Sequence, residues 1–138
     1  MAALDSPIGR KVQRRLRREQ IIWLVTVDAR HTPQPRPVWF HWDGETVLVL
    51  SQPGAAKVRH VARNPRVALH FNTDDEGGSV GVLIGEALIA RSPVNPQRLK
   101  AYLRKYRERI KSLGMTAESL QGEYATTIVI TPRSVRGF

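Results

Sequence analysis

The sequence predicts a mainly-β fold: a small six-stranded antiparallel barrel, closed or nearly closed, with three peripheral helices. Three observations predict it. Six short runs rich in β-branched and aromatic residues recur between turn signals. Those runs follow one another in hairpin order, and only one stretch reads as a long helix. At 138 residues and 15.6 kDa the chain reads as a single domain, 1–138.

The first helix is expected over residues 7–19. Ser6-Pro7 is an N-cap followed by proline at the first helical position, and Ile8, Val12 and Leu16 form one narrow apolar stripe. Arg10, Lys11, Arg14, Arg15, Arg17 and Arg18 occupy its other faces, as an anion-binding arm or a solvated surface. Ile21 to Val27 is a continuous β-branched and aromatic run, which predicts a strand buried on both faces. The segment DARHTPQP reads as loop, and Arg36 to Trp42 as the second strand. Asp43-Gly44 predicts a two-residue hairpin into a third strand, Glu45 to Ser51.

Gln52-Pro53-Gly54 breaks the chain before a short helix, Ala55 to Arg63, which ends at Asn64-Pro65 because a residue preceding proline avoids helical geometry. Arg66 to Asn72 alternates as a strand, and Thr73 to Gly78 is an acidic turn. Ser79 to Ala90 is a long strand in which Gly81 and Gly85 predict a bend or bulge. Asn95-Pro96 caps the long helix, whose apolar face is Leu99, Tyr102, Leu103, Tyr106, Ile110 and Leu113, with Gly114 as its stop. Lys100, Arg104, Lys105, Arg107, Arg109 and Lys111 are placed on its outer side. Tyr124 to Thr131 is the last strand.

Composition narrows the chemistry. Hydrophobic residues make up 41% and charged residues 25%, an ordinary balance for a folded chain. The absence of cysteine excludes disulfides, thiolate nucleophiles and Cys-ligated metals. No apolar run approaches the ~20 residues of a membrane helix, and MAALDSPIGR lacks the apolar core of a secretory signal, so a soluble, cytoplasmic protein is expected. A net charge of +10 and a pI near 11.0 favour anionic partners: nucleic acid, a membrane surface or a phosphorylated or polycarboxylate small molecule.

The usual catalytic parts are missing. His31, His41, His60 and His70 show no metal-helix spacing, and no metal site is expected. The acidic clusters Asp43-Glu45 and Asp74-Asp75-Glu76 fall in turns, and no nucleophile elbow, P-loop or dinucleotide fingerprint is present. An enzyme of this composition would leave the reaction to a cofactor. One segment suits an anion. Ser51-Gln52-Pro53-Gly54-Ala55-Ala56-Lys57 is a small-residue loop that opens a helix, with a hydroxyl and a lysine beside free backbone amides. The strand Arg36-Pro37-Val38-Trp39-Phe40 offers backbone groups and an apolar wall to a flat heterocycle.

Taken together, WLVTV, TPQPRPVWF, WDG, LVLSQP and AKVRHVARNPRVALHF resemble the split β-barrel flavin proteins of the pyridoxamine 5′-phosphate oxidase-like superfamily. They are most similar to the branch of oxidoreductases that use the deazaflavin coenzyme F420. The resemblance spans Trp23 through the terminal Val135-Arg136-Gly137-Phe138. It implies a six-stranded split barrel that works as a homodimer, with two cofactor sites at the subunit interface.

On that resemblance Arg36, Pro37, Val38, Trp39 and Phe40 line the ring system and upper tail, and Ser51, Gln52, Ala56 and Lys57 hold the phosphate. Arg59 stands near Lys57 as a further tail contact or a solvated helix residue. The implied activity is hydride transfer between F420 and a small-molecule substrate of unread class. No proton donor is assigned: Tyr102, Tyr106 and His41 are candidates, and helix-core packing is expected of both tyrosines.

Pyridoxamine-phosphate oxidases proper carry a lysine where His41 stands and an arginine where Ala56 stands, and finish with an Arg-Leu-His segment absent here. Those departures argue against vitamin B6 oxidation and against tight FMN binding. F420 adds an oligoglutamate tail that suits a basic protein. The alternatives are an FMN-binding reductase or electron carrier, a basic nucleic-acid-binding module using the Arg-rich first helix, and a cofactor store without turnover.

Overall fold

The computed structural model describes residues 2–138. A 3-10 turn at Ala2–Asp5 leads into α1 (Pro7–Arg18), where Ser6 accepts a hydrogen bond from the Gly9 amide as the expected N-cap. The strands are β1 (Ile22–Val27), β2 (Pro33–Val38), β3 (His41–Trp42), β4 (Val47–Ser51), β5 (Arg66–His70), β6 (Gly81–Ile89) and β7 (Thr126–Gly137). Helix α2 (Ala56–Arg63) lies between β4 and β5, and α3 (Pro96–Lys105), α4 (Arg107–Ser112) and α5 (Ala117–Glu123) lie between β6 and β7.

All seven strands form one antiparallel sheet in the order β2-β1-β5-β6-β7-β4-β3. The mainly-β antiparallel barrel is as expected, with seven strands rather than six. The extra one arises because Arg36 to Trp42 is two strands. β2 and β3 are the two edges of the sheet, and only Trp39 and Phe40 join them. Three Cα steps reach at most about 11 Å, so that link obliges the sheet to curl until its edges meet. Trp39-Phe40 is the seam of the barrel.

The segment expected to be loop before Arg36 is in fact the start of β2, paired to β1 from Val27↔Pro33 to Ile22↔Val38. Prolines at every second position, 33, 35 and 37, put all their missing N–H groups on one side, which a free edge tolerates. The Asp43-Gly44 hairpin is longer than expected: β4 starts at Val47, and the Asp43 carboxylate accepts from the Glu45 and Thr46 amides to build the turn.

β1 alternates between buried and half-buried positions, contrary to the expectation of burial on both faces; β4 is the strand buried throughout. Val47 and Val49 face the barrel interior with Leu16, Ile22, Leu24, Phe40, Leu69 and Ile130, while Leu48 and Leu50 pack against Tyr102, Tyr106, Ile110 and Leu120. Helices α3 to α5 cover the outer face of β4 and leave that of β1 partly bare.

The expected long helix is two, α3 and α4, and an unexpected third, α5, follows it. Tyr106 (φ −107°, ψ 13°) separates α3 from α4, and Gly114 (φ +72°) turns the chain into α5. The last strand runs six residues beyond its expected end, because residues 134–137 pair with Gly81–Ile84 on β6. The expected irregularity in β6 falls between Ile84 and Gly85.

Two cations assigned to outer faces are not there. Arg15 is buried: it donates to the carbonyls of Ser79 (2.6 Å) and Asn72 (2.8 Å), pairs with Glu19 and lies over the Phe71 ring. Lys105 donates to the Phe40 carbonyl at 2.9 Å with its ammonium 3.6 Å from the centre of the Phe40 ring. Each found carbonyls that only distant segments supply.

Candidate functional site

Two cavities meet beside the seam. The first, about 400 Å³, is walled by Thr26 of β1, by Gln34, Arg36 and Pro37 of β2, and by Ala55, Ala56, Lys57 and His60 around the start of α2. The second, about 380 Å³, is lined by Pro37, Val38, Trp39, Leu50, Lys57, Tyr102, Leu120 and Tyr124, with Ile21, Leu113 and Met115 at its margins. Pro37 and Lys57 line both, so the cavities adjoin across these two side chains.

The first cavity is built for an anion. Helix α2 opens at Ala55 without a side-chain cap, leaving the Ala56 and Lys57 amides for another acceptor. Lys57 is half-buried; burial and the neighbouring Arg36 guanidinium hold its ammonium below the ordinary lysine range. Two like charges are thereby held near each other, and among the described residues no carboxylate pairs with either. A bound anion would relieve both. The His60 imidazole is oriented by a 2.8 Å hydrogen bond between its Nδ1 and the buried Thr26 hydroxyl.

The second cavity is an aromatic-walled slot. Trp39 stands on one side, stacked on Tyr106, and Tyr102 and Tyr124 contribute to the rest. Burial pushes the hydroxyls of Tyr102 and Tyr106 well above the ordinary phenol range, so both stay neutral. Their burial agrees with the expected helix-core packing.

Of the residues marked in the sequence, Arg36, Pro37, Ala56 and Lys57 line the first cavity and Pro37, Val38, Trp39 and Lys57 the second. Phe40 and Ser51 are fully buried, and the Ser51 hydroxyl donates to the Gln52 carbonyl at 3.0 Å. Gln52 is exposed and donates to Glu123 of α5 at 2.9 Å, which ties the loop before α2 to the helical cover. Arg59 bonds the Gly54 carbonyl at 2.9 Å and braces the same loop. His41 accepts from Arg98 at 3.1 Å on another side of the molecule.

Thr26 and Gln34 carry no assignment in the sequence, and His60 is marked there only as a histidine without metal spacing. Thr26 is the polar residue inside an apolar run, and His60 follows Lys57 by one helical turn, which are the signals available. Tyr124, expected to open the last strand, instead closes α5, and Leu120 lies on that helix, which no sequence signal marks.

A curled antiparallel sheet with a basic cavity and an aromatic slot at its seam is a split barrel. The family profile described as pyridoxamine 5′-phosphate oxidase matches residues 8–138, and the chain belongs to that family. Solved structures agree in fold. An F420 reductase superposes with a TM-score of 0.66 at 24% identity, over 90% of this chain and 94% of that one. The heme storage protein HutZ from Vibrio cholerae gives 0.71 at 16%, over 96% and 95%. An FAD-binding protein from Mesorhizobium loti gives 0.70 at 14%, over 92% and 89%. At these identities the likeness establishes the fold. No curated protein matches the chain. No helix among the described residues is long and apolar enough to cross a membrane.

Proposed function

We propose that this chain is an F420-dependent oxidoreductase that holds the deazaflavin coenzyme across the two adjoining cavities and acts on a small molecule. The observation that carries the proposal is the pair Arg36 and Lys57, unpaired with any carboxylate among the described residues and facing one cavity at the uncapped start of α2. These residues fit a phosphate, and the slot of Pro37, Val38 and Trp39 beside them fits a planar ring. Bound F420 supplies hydride-transfer chemistry at its tricyclic ring.

The chain's own part is binding, orientation and exclusion of water. Arg36, Lys57 and the amides of Ala56 and Lys57 hold the phosphate. Ser51, Gln52 and Arg59 fix the loop that presents them. Trp39 forms a wall whose position Tyr106 sets by stacking, and Tyr106 and Lys105 fix the backbone of the buried Phe40 behind it. The net charge of +10 complements the oligoglutamate tail that distinguishes F420 from FMN. The F420 reductase among the similar structures supports the same choice.

The reading includes a homodimer. Ile84 and Leu88, 38% and 56% exposed, stand on the outer face of β6. Ile84 lies in register with Ala68 and then Val25, an apolar row across three strands. Sedimentation as a monomer at micromolar concentration would remove this part of the proposal.

Fluorescence titration with F420 and FMN in parallel, on the protein and its Lys57→Ala variant, tests the assignment. F420 binding weakened about tenfold or more by the substitution is expected, since a charge-assisted contact contributes ~1.5–3 kcal/mol. Unchanged affinity in the variant overturns the phosphate site. Preference for FMN makes the protein an FMN reductase or electron carrier instead.

A further inference from the structure

We infer that the substrate is an amphipathic organic anion: an apolar body that reaches the ring cavity across Met115, with a carboxylate or phosphate held by Lys100, Arg104, Arg107 and Lys111. The inference deepens the cofactor reading and rests on it.

A third cavity, about 520 Å³, runs along α3 and α4 with these four cations around a floor of Leu103, Ile110 and Met115. Met115 also lines the ring cavity, so the basic groove and the aromatic slot share a wall. The floor is made by the chain reversal at Gly114. Its positive φ lets the Met115 amide donate back to the Ile110 carbonyl at 3.1 Å, which brings the thioether under α4. Leu113, 63% exposed, lines the ring cavity beside it.

The cations follow one groove across two helices, Lys100 and Arg104 on α3 and Arg107 and Lys111 on α4. Like charges four residues apart destabilise a helix by ~0.2–0.5 kcal/mol per pair, and here the pattern occurs twice, at Lys100/Arg104 and Arg107/Lys111. Among the described residues no ion pair engages any of the four. Glu108 is the one acidic residue of α3 and α4, and it does not line the groove. Concentrated positive charge beside an apolar floor selects a ligand with both properties, and contact with the slot aims that ligand at the ring.

Two fluorescent probes separate charge from apolar contact: 8-anilinonaphthalene-1-sulfonate, an aromatic anion, and N-phenyl-1-naphthylamine, its neutral counterpart. Each is titrated into the protein, an Arg104→Gln/Arg107→Gln variant and Lys57→Ala, alongside F420. Both arginines are exposed, and the variant's circular dichroism and Tm report its folding. The expected result is a tenfold or greater loss of sulfonate affinity in the double variant. The neutral probe and F420 should each change less than twofold there, and Lys57→Ala should lower F420 affinity while sparing the sulfonate. Sulfonate affinity unchanged in the double variant, or lost in step with the neutral probe, overturns the inference and leaves the cofactor reading intact. Failure of F420 to bind, with the charge effect preserved, overturns the cofactor reading and with it the substrate role of the groove.

Discussion

The indole of Trp39 lies flat on the phenol ring of Tyr106, with ring centroids 4.5 Å apart and planes 5° from parallel. The Tyr106 hydroxyl accepts from the Phe40 amide at 2.8 Å and has the Gln20 carbonyl at 2.7 Å to receive its single proton. The Phe40 carbonyl is served by Lys105 at 2.9 Å. The two residues that join the barrel edges are thus held by the two residues where the expected long helix breaks.

Replacing Tyr106 by Phe keeps the stack and removes the hydroxyl. The buried Phe40 amide and the Gln20 carbonyl then lose their partner, which should cost ~2 kcal/mol by urea unfolding. F420 affinity should fall as the wall loosens. A loss below ~0.5 kcal/mol would show that the stack alone holds the seam.

Lys105 gives the seam a pH dependence. Burial lowers its ammonium to about 8 from an ordinary value of 10.5. Below pH 8 the lysine is charged in both folded and unfolded chains, and folding bears the full desolvation penalty. Between about 8 and 10.5 the unfolded chain binds more protons, so this group's contribution to stability rises with pH. Relative to Lys105→Met, the parent protein should therefore gain stability from pH 7 to pH 10 in parallel urea titrations. A constant difference would show that the ammonium is solvated.

Arg36→Gln should act twice. Removing the neighbouring charge relieves one of the two causes that lower Lys57, so its ammonium should titrate at higher pH by NMR. It should also weaken F420 about tenfold. A Lys57 titration that does not move would separate the two side chains.

Arg15→Leu removes two hydrogen bonds to carbonyls, an ion pair and a cation–π contact, and should cost ~3 kcal/mol or more. Arg14→Ala, one residue away and exposed, should stay within ~0.5 kcal/mol. Equal effects would mean that Arg15 is solvated like its neighbour.

Gly85→Ala should destabilise the sheet, because the new Cβ would lie 2.5 Å from the Thr131 carbonyl oxygen across the β6–β7 bulge. Gly122→Ala in α5 meets open space and should stabilise by up to ~1 kcal/mol. Thermal denaturation of the two variants checks both signs.

Local signals were enough for the approximate place of most strands but not for the start of β2 or the end of β7, and they marked the two N-caps at Ser6 and Asn95, the irregularity at Gly85 and the residues Arg36, Pro37, Val38, Trp39, Ala56 and Lys57 that border the cavities. Apolar alternation, proline and glycine act over a few residues, so they can be read in order along the chain. The division at Trp39-Phe40, the burial of Arg15 and Lys105, and the meeting of Thr26 with His60 depend on segments far apart in sequence. Curling the sheet brings its edges together, and only then does each buried polar group have a partner to choose. Pairing between remote residues is a property of the closed barrel, and the chain's order alone does not contain it.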